Sequence, residues 1–276
     1  MEKILNEQDY DFIRKLVYAK SAIAIDVNKD YLIDTRLMIL KERKQYQNIE
    51  EILHKLKYEQ CEKCTREVIN IMTTNETSFF RDQHPFDALK LTVLPEILAK
   101  KQTHSLTLWS GACSTGQEAY SMAMLLCEFF PHVVQDFAIK ILATDISTDV
   151  LDQAKKGLFS QNEVNRGLPI QYLLKYFDRQ GQSWQMKEHI RNMVEFRSFS
   201  LNDDWAFIPR MDIIFLRNVM IYFTEQTRIK ILNQIKQKIY PNGYLFLGAG
   251  ETLPQTECDL RRSHTDGTYY YTLNKE

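Results

Sequence analysis

The chain has 276 residues, of which 44% are hydrophobic and 26% charged, a composition typical of a soluble globular protein with one or two domains. The formal net charge of −1 and the isoelectric point near 6.6 exclude the basic footprint of a general nucleic-acid-binding protein. The sequence has no run of about 18 apolar residues, and its first residues carry no signal-peptide core. We therefore expect a cytoplasmic protein without membrane insertion.

Five cysteines, an odd number, do not indicate a disulfide framework. Cys61 and Cys64 form a CxxC pair, but a zinc site would need two further ligands at suitable spacing, and no second pair follows. We predict reduced surface thiols and no metal site, with a metal or redox role for the pair as the alternative.

Residues 1–72 are predicted to form a small all-helical domain. The segment contains no glycine or proline, and its apolar residues recur at helical spacing. One of its helices is predicted from Tyr31 to Asn48. A polar stretch, residues 73–84, then connects this domain to the rest of the chain, residues 85–276.

From about residue 85, strand-like apolar runs alternate with helical ones, which predicts an α/β domain with a Rossmann-like, mostly parallel sheet and helices on both faces. The predicted strands are 106–109, 139–144, 194–198, 211–216, 244–247 and 268–273. The last strand is expected to pair antiparallel at the sheet edge. Between about residues 176 and 195, Gly181 marks a turn between two short strands, which predicts a small antiparallel β insertion.

A strand from Leu106, a turn containing Gly111 and Gly116, and a helix from Gln117 follow one another. In such sheets, ligands bind over the carboxyl ends of the strands. Because Gly111 and Gly116 carry no Cβ, we expect them to let the backbone approach a ligand closely. The turn therefore predicts a ligand pocket, and Glu118 lies just inside the helix that follows.

Polar residues also follow two other predicted strands. Asp145 ends the second strand, where a carboxylate can accept hydrogen bonds from both ribose hydroxyls of an adenosine; a helix cap is the alternative. Arg217 and Asn218 end the strand 211–216 abruptly, and charged or amide side chains at such a place indicate a functional position. Tyr222, just beyond, is interpreted as either a core residue or a pocket wall.

The polar segment 74–82, taken alone, indicates only helix capping by Thr77 and Asp82. Together with the other three segments, however, it resembles the chemotaxis receptor glutamate O-methyltransferases, the CheR family, which use S-adenosylmethionine. The matching strings are NETSFFRD (75–82), WSGACSTGQEAYSMAM (109–124), ATDIS (143–147), VEF (194–196), RNVMIYF (217–223) and GYLFLGAGETL (243–253). The stretch 29–37 resembles the family's N-terminal domain. The order and spacing of these strings make the match specific.

The resemblance implies a class I methyltransferase fold and methyl transfer from S-adenosylmethionine to receptor glutamates, with S-adenosylhomocysteine as product. Segment 73–84 would contribute to the cofactor site. The residues that the resemblance places at the cofactor are Asn75, Thr77, Arg81, Glu118, Asp145, Ser200, Leu201, Arg217 and Asn218. Arg81 and Tyr222 would face the methyl-transfer site as catalytic residues.

The sequence departs from the family pattern at two places. The family's Asn-Leu pair falls at Ser200-Leu201, which leaves that cofactor contact open. The late motif, usually His or Ala followed by Ser-Glu, falls within residues 248–252, which read Gly-Ala-Gly-Glu-Thr. Gly250 is expected to loosen the local backbone, whereas Glu251 is retained.

The resemblance also implies a partner, the acidic helical bundle of a chemoreceptor's cytoplasmic domain. The basic side chains of the predicted helix 31–48 would dock there: Arg36, Lys41, Arg43 and Lys44. An ordinary solvated face is the alternative. In the family, the β insertion can bind a peptide at a receptor's tail, but the loop here, Asp178 to Trp184, is short, so we expect direct docking without this tether. We also expect a monomer, with a regulatory adaptor as a further candidate partner.

Two other functions stay open on the sequence. A nicotinamide-dependent oxidoreductase would share the sheet, but the turn from Gly111 to Gly116 lacks the GxGxxG pattern. The second is a non-catalytic module that binds S-adenosylmethionine and signals through the helical domain. Arg81 and Tyr222, both retained, argue against it.

Overall fold

The computed structural model describes residues 3–253, 259–265 and 267–273. The chain is helical up to Met72. The helices there are α1 Glu7–Ser21, α2 Asp30–Lys44, α3 Ile49–Lys57 and α4 Glu62–Met72. They enclose a hydrophobic core of their own, with Ile13, Leu37 and Ile52 at its centre. Cys64 is fully buried in that core, so the expectation that both thiols of the CxxC pair lie at the surface was wrong.

The helix predicted from Tyr31 to Asn48 ends at Lys44. Gln45 takes up a left-handed conformation, with φ 58°, and its N–H bonds back to the α2 carbonyls. Asn48 belongs to the next helix, because its side chain accepts a hydrogen bond from the N–H of Glu51 and so caps α3. These local caps divide a stretch that helical spacing alone presents as continuous.

The remaining elements form the α/β part of the chain. The helices are α5 His84–Ala88, α6 Leu94–Lys100, α7 Gln117–Phe129, α8 Pro131–Asp136, α9 Thr148–Lys156, α10 Gln161–Asn165, α11 Ile170–Tyr176, α12 Glu188–Arg191 and α13 Glu225–Lys238. The strands are β1 Ser105–Gly111, β2 Ala138–Asp145, β3 Leu158–Ser160, β4 Phe177–Gln180, β5 Ser183–Met186, β6 Val194–Ser198, β7 Met211–Leu216, β8 Ile239–Leu247, β9 Leu260–Thr265 and β10 Thr268–Leu273. A π-helical turn, Leu89–Val93, joins α5 to α6.

Seven strands form the main sheet in the order β6-β2-β1-β7-β8-β10-β9. The first five are parallel and β10 is antiparallel to β8, which confirms the mostly parallel α/β sheet. The sequence missed β9, which pairs antiparallel with β10 and occupies the edge. The expectation that 268–273 lies at the edge was therefore wrong. The carboxyl ends of β1, β2, β6 and β7 meet at one side of the sheet, where ligands bind in such folds.

The small antiparallel sheet has three strands in the order β3-β5-β4. The hairpin of β4 and β5, with its turn at Gly181, lies where the sequence predicts an insertion. Its third strand, β3, precedes the predicted start of the insertion near residue 176 in the sequence. The insertion is therefore built from two separated stretches of sequence.

Hydrophobic clusters cover both faces of the main sheet. One cluster contains residues of α7, α5 and α6. The other contains residues of α13 and the aromatic pair Trp109 and Trp205. The N-terminal helices join the second face, because Ile23 forms an antiparallel bridge with Phe223 and Ala24 N donates to Tyr222 O at 3.0 Å. Within the described ranges, every helix is too short or too polar to cross a bilayer.

Phe79 anchors the segment that connects the helices to the sheet. Its ring is fully buried and packs edge-on against Phe159 and Phe177 of the small sheet, with ring centroids 5.0 and 5.7 Å away. We predict that Phe79→Ala lowers the free energy of unfolding by about 3–5 kcal/mol, because the lost ring leaves a cavity. Urea denaturation measures this change.

A control for Phe79 is Leu174→Ala in α11, because the Leu174 side chain is 68% exposed. Its substitution should alter the free energy of unfolding by no more than about 0.5 kcal/mol. Equal losses for the two variants would show that the Phe79 ring does not anchor the segment.

Candidate functional site

A pocket opens at the carboxyl ends of β1, β2, β6 and β7, closed on one side by the segment that follows α4. All ten residues that the family resemblance places at the cofactor or the methyl-transfer site line this pocket: Asn75, Thr77, Arg81, Glu118, Asp145, Ser200, Leu201, Arg217, Asn218 and Tyr222. The structure therefore brings together residues that are up to 147 positions apart in the chain. Among the described residues, no cluster of side chains suits a metal ion.

The glycines of the first loop serve packing rather than close approach of a ligand, contrary to expectation. A Cβ on Gly111 would lie 2.8 Å from Cδ1 of Leu216, and one on Gly116 would lie 3.0 Å from Cβ of Ala154. The pocket is lined by the residues between them, among which Ala112 and Ser114 have left-handed φ angles of 55° and 51°. The loop thus presents its backbone through strained non-glycine residues.

Asp145 ties the first loop to the end of β2. Its Oδ2 accepts a hydrogen bond from Ser114 N at 2.8 Å, and its Oδ1 accepts one from Ser147 N at 2.9 Å. Burial raises the pKa of Asp145 above its usual value, although these two N–H groups act in the opposite direction. The N-cap of α9 is Ser147, so the alternative of Asp145 as the helix cap does not hold.

Arg217 organises the floor of the pocket. Its side chain is 1% exposed, and its Nη1 donates to Glu118 Oε2 at 3.0 Å. Its Nη2 donates to Asp82 Oδ2 and to the carbonyl of Arg81, both at 2.8 Å. One guanidinium thus fixes α7, β7 and the connecting segment relative to one another. Its Nε has no hydrogen-bond partner among the described residues.

Glu251, which the sequence left outside the site, holds the Asn218 loop. Its buried carboxylate accepts hydrogen bonds from Asn218 N at 2.8 Å, Gly248 N at 2.7 Å and Ile221 N at 3.3 Å. Asn218 has a left-handed φ of 59°, which costs free energy in a residue with a Cβ. The three hydrogen bonds stabilise this conformation and present Asn218 to the pocket.

The N-terminal helices contribute to the pocket, which the sequence did not indicate. Ser21, the last residue of α1, and Ile23, just after it, form part of the pocket wall. Ser200 reaches the same region, since its Oγ donates to Lys20 O at 3.3 Å and accepts from Asn202 N at 3.2 Å. At this position the family's Asn is therefore replaced by a hydroxyl that bonds within the protein. No local sequence signal marks these contacts, because they join residues about 180 positions apart.

Arg81 and Tyr222 line the pocket, and their side-chain polar groups make few hydrogen bonds within the described residues. Arg81 Nη1 donates to the carbonyl of Glu76 at 3.0 Å. Tyr222 is half-buried and lies in a short 3-10 turn, where its carbonyl accepts from Ala24 N. Of the two interpretations of Tyr222, the structure supports the pocket wall.

The four basic residues of α2 occupy different environments. Lys41 pairs with Glu42 at 2.9 Å, Lys44 lies 3.8 Å from Glu67, and Arg43 is exposed. Arg36 faces the connecting segment, where its guanidinium donates to backbone and hydroxyl oxygens. Of these four residues, Arg43 and Lys44 are exposed, whereas Lys41 and Arg36 are half-buried.

Two glycines near Glu251 allow a matched test of this loop. A Cβ on Gly248 would lie 2.8 Å from both Glu251 Oε2 and Asn218 Nδ2, whereas one on Gly250 would meet no atom within 4 Å. We predict that Gly248→Ala lowers the free energy of unfolding by about 1–3 kcal/mol, because the backbone around it must shift. Gly250→Ala should leave the free energy of unfolding unchanged or raise it slightly. Thermal unfolding compares the two, and an equal loss in both would contradict the crowding at Gly248.

Comparison with known proteins adds to this geometry. A family model described as the CheR methyltransferase, SAM binding domain, matches residues 75–268. The chemotaxis protein methyltransferase Cher2 of Pseudomonas putida is 38% identical over 248 residues, which are 89% of this chain and 90% of that protein.

Two further relatives agree with the family match. Chemotaxis protein methyltransferase 1 of Pseudomonas aeruginosa is 38% identical, over 89% of this chain and 90% of its own. The chemotaxis protein methyltransferase of Borreliella burgdorferi is 35% identical, over 87% of this chain and 86% of its own. The chain belongs to the CheR family of S-adenosylmethionine-dependent methyltransferases.

Proposed function

We propose that this methyltransferase transfers the methyl group of S-adenosylmethionine to glutamate side chains of chemoreceptor cytoplasmic domains, producing glutamate methyl esters and S-adenosylhomocysteine for chemotactic adaptation. The observation that carries the proposal is the pocket in which all ten expected residues converge. The cytoplasm is the proposed location, because the receptor signalling domains lie there. A monomeric enzyme and a regulatory adaptor remain predictions.

The residues at the pocket fit the methyl donor. The carboxylate of Asp145 uses one acceptor site of each oxygen for Ser114 and Ser147, which leaves further lone pairs for the ribose hydroxyls. Phe199 and Leu201 supply an apolar wall that suits an adenine ring. Glu118, held by the ion pair with Arg217, provides an acceptor for the amino group of the methionine moiety.

The chain needs no strong general base for this reaction. When bound, S-adenosylmethionine supplies a methyl group made electrophilic by its sulfonium, and the acceptor carboxylate is already ionised at neutral pH. The new C–O bond forms as the C–S bond breaks, its electron pair stays on sulfur, and no proton moves. None of the described pocket-lining residues is a histidine. Cys113 is unsuited as a nucleophile, because burial raises the pKa of its thiol well above the usual value.

The protein therefore contributes by aligning the two reactants and by excluding water from them. Alignment of two bound reactants can supply several kcal/mol of rate acceleration. Arg81, whose guanidinium donates to the carbonyl of Glu76, is placed to orient the acceptor carboxylate through its planar fork. Tyr222 bounds the same end of the pocket. An apolar wall favours transfer, because the reaction neutralises both reacting charges.

Docking of the receptor is proposed on the exposed face of α2. Lys41, Arg43 and Lys44 form its basic surface, which complements an acidic helical bundle. Such charges act mainly on association rate and orientation rather than on affinity. The end of α1 lines the methyl-donor pocket and Arg36 of α2 binds the wall residues Thr73 and Thr74, so a receptor on α2 would lie near the site of transfer.

We predict that Arg81→Ala lowers kcat for receptor methylation by about 100-fold or more, the usual effect of removing a group that stabilises the reacting geometry. The affinity for S-adenosylhomocysteine should change much less. The measurements are a labelled-methyl assay with receptor membranes and calorimetry with S-adenosylhomocysteine.

Arg210→Ala, an exposed arginine away from the pocket, is the control for Arg81. It should keep full activity. Normal turnover of the Arg81 variant would remove its catalytic role. If the wild-type protein binds the donor but methylates no receptor, the non-catalytic binding module becomes the better description.

The raised pKa of Asp145 predicts a pH dependence of cofactor binding. As the pH falls through this pKa, the carboxylate gains a proton and loses acceptor capacity, so the affinity for S-adenosylhomocysteine should fall. Because the pKa is raised, the decline begins at a higher pH than an ordinary aspartate would give. Calorimetry between about pH 5 and 8 measures it.

Asp145→Asn is the matched variant for the pH series. It should bind S-adenosylhomocysteine weakly, with affinity that no longer declines on acidification. The same pH profile in both proteins would assign the decline to another group.

A further inference from the structure

Arg36 extends from α2 to the segment that walls the methyl-donor pocket. Its Nη1 donates to the carbonyls of Ile71 at 3.0 Å and Thr73 at 2.8 Å. Its Nη2 donates to Thr74 Oγ1 at 2.9 Å. One side chain thus binds the end of α4 and the two residues that follow it. Thr73 and Thr74 are themselves part of the pocket wall.

These contacts are energetically significant because of their surroundings. Burial lowers the pKa of Arg36, and nearby Tyr222 offsets part of that effect, yet an arginine remains charged at neutral pH. A hydrogen bond from a charged donor contributes more to stability than one between neutral groups. One acceptor, the carbonyl of Ile71, belongs to the last turn of α4, and the other two belong to Thr73 and Thr74, which have no regular secondary structure.

The same segment has other attachments farther along, among them an ion pair of Glu76 with Arg166. Ser114 Oγ of the first loop donates to Asn75 O at 2.8 Å, and Phe80 N donates to Ser121 Oγ at 3.0 Å. Arg36 is therefore the contact at the start of the wall, and the loop and α7 supply those farther along it. Without Arg36, the first residues of the wall would keep only the hydrogen bonds of Thr73 to the carbonyls of Ile69 and Asn70 in α4, and Thr74 would lose its bond to α2.

We propose that Arg36 is a positioning residue for the methyl donor: it sets the conformation of residues 73–77 and does not contact the receptor. The exposed and inward sides of α2 then have separate tasks. The proposed function places the receptor at Lys41, Arg43 and Lys44, of which Arg43 and Lys44 are exposed, and Arg36 serves the donor site. This division of tasks rests on the proposed function, whereas the role of Arg36 at the donor site does not depend on it.

The test compares Arg36→Ala with Arg43→Ala, two arginines of one helix. We expect Arg36→Ala to raise the Kd for S-adenosylhomocysteine about tenfold, a typical coupling effect, and to raise KM for S-adenosylmethionine with kcat largely kept. Arg43→Ala should leave both constants unchanged. An unchanged Kd in Arg36→Ala, or an equal rise in both variants, would overturn the inference.

Two further measurements separate positioning from general loss of structure. Hydrogen exchange of the protein without ligand should show faster exchange for residues 73–77 in Arg36→Ala than in the wild type, with the helical core unchanged. Arg36→Lys keeps the charge but lacks the planar fork, so it should recover only part of the affinity. If Arg36→Ala does not fold, the Kd of Arg36→Lys decides, and a wild-type value would count against the inference.

Kinetic measurements with the receptor as substrate distinguish this inference from the proposed function. Arg36→Ala should leave the KM for receptor unchanged, whereas Arg43→Ala should raise it. If Arg43→Ala has no effect on receptor KM, docking on α2 fails while the role of Arg36 stands. If Arg36→Ala raises receptor KM and spares cofactor affinity, Arg36 is a docking residue and the inference fails.

Discussion

The buried guanidinium of Arg217 is the interaction on which the site depends. It lies at the end of a central strand and binds a carboxylate on α7 and another on the connecting segment. A buried charge of this kind is tolerable only when its partners are in place, so the three elements are held in one arrangement. The pocket is therefore a property of the whole sheet edge, because no single loop can form it alone.

Backbone strain is concentrated around that interaction. Phe80, Asp82, Ala112, Ser114 and Asn218 all have left-handed φ angles between 47° and 64°. Such conformations persist only where surrounding contacts determine them. Here those contacts are the Arg217 bonds, the Asp145 carboxylate and the Glu251 carboxylate. Three buried side chains thus compensate for the strain of the three loops that surround the ligand site.

Much of the fold and the pocket could be predicted because their signals are local. Apolar runs mark the buried strands, and polar residues at strand ends mark the site. Strand β9 was missed because it lies at the edge and its exposed arginines, Arg261 and Arg262, give no apolar signal. The inward role of Arg36 and the contribution of Ile23 could not be predicted, since both depend on how the helices meet the sheet.

The small three-stranded sheet is not a detachable appendage. Phe159 of β3 and Phe177 of β4 are buried against Phe79 of the connecting segment, whereas their neighbours Leu158 and Asp178 face solvent. Evolution can therefore vary the outer surface of this sheet freely, but not its inner one. An exchange of this unit between relatives would have to carry the inner aromatic residues with it, or the recipient would lose the support beneath its methyl-donor site.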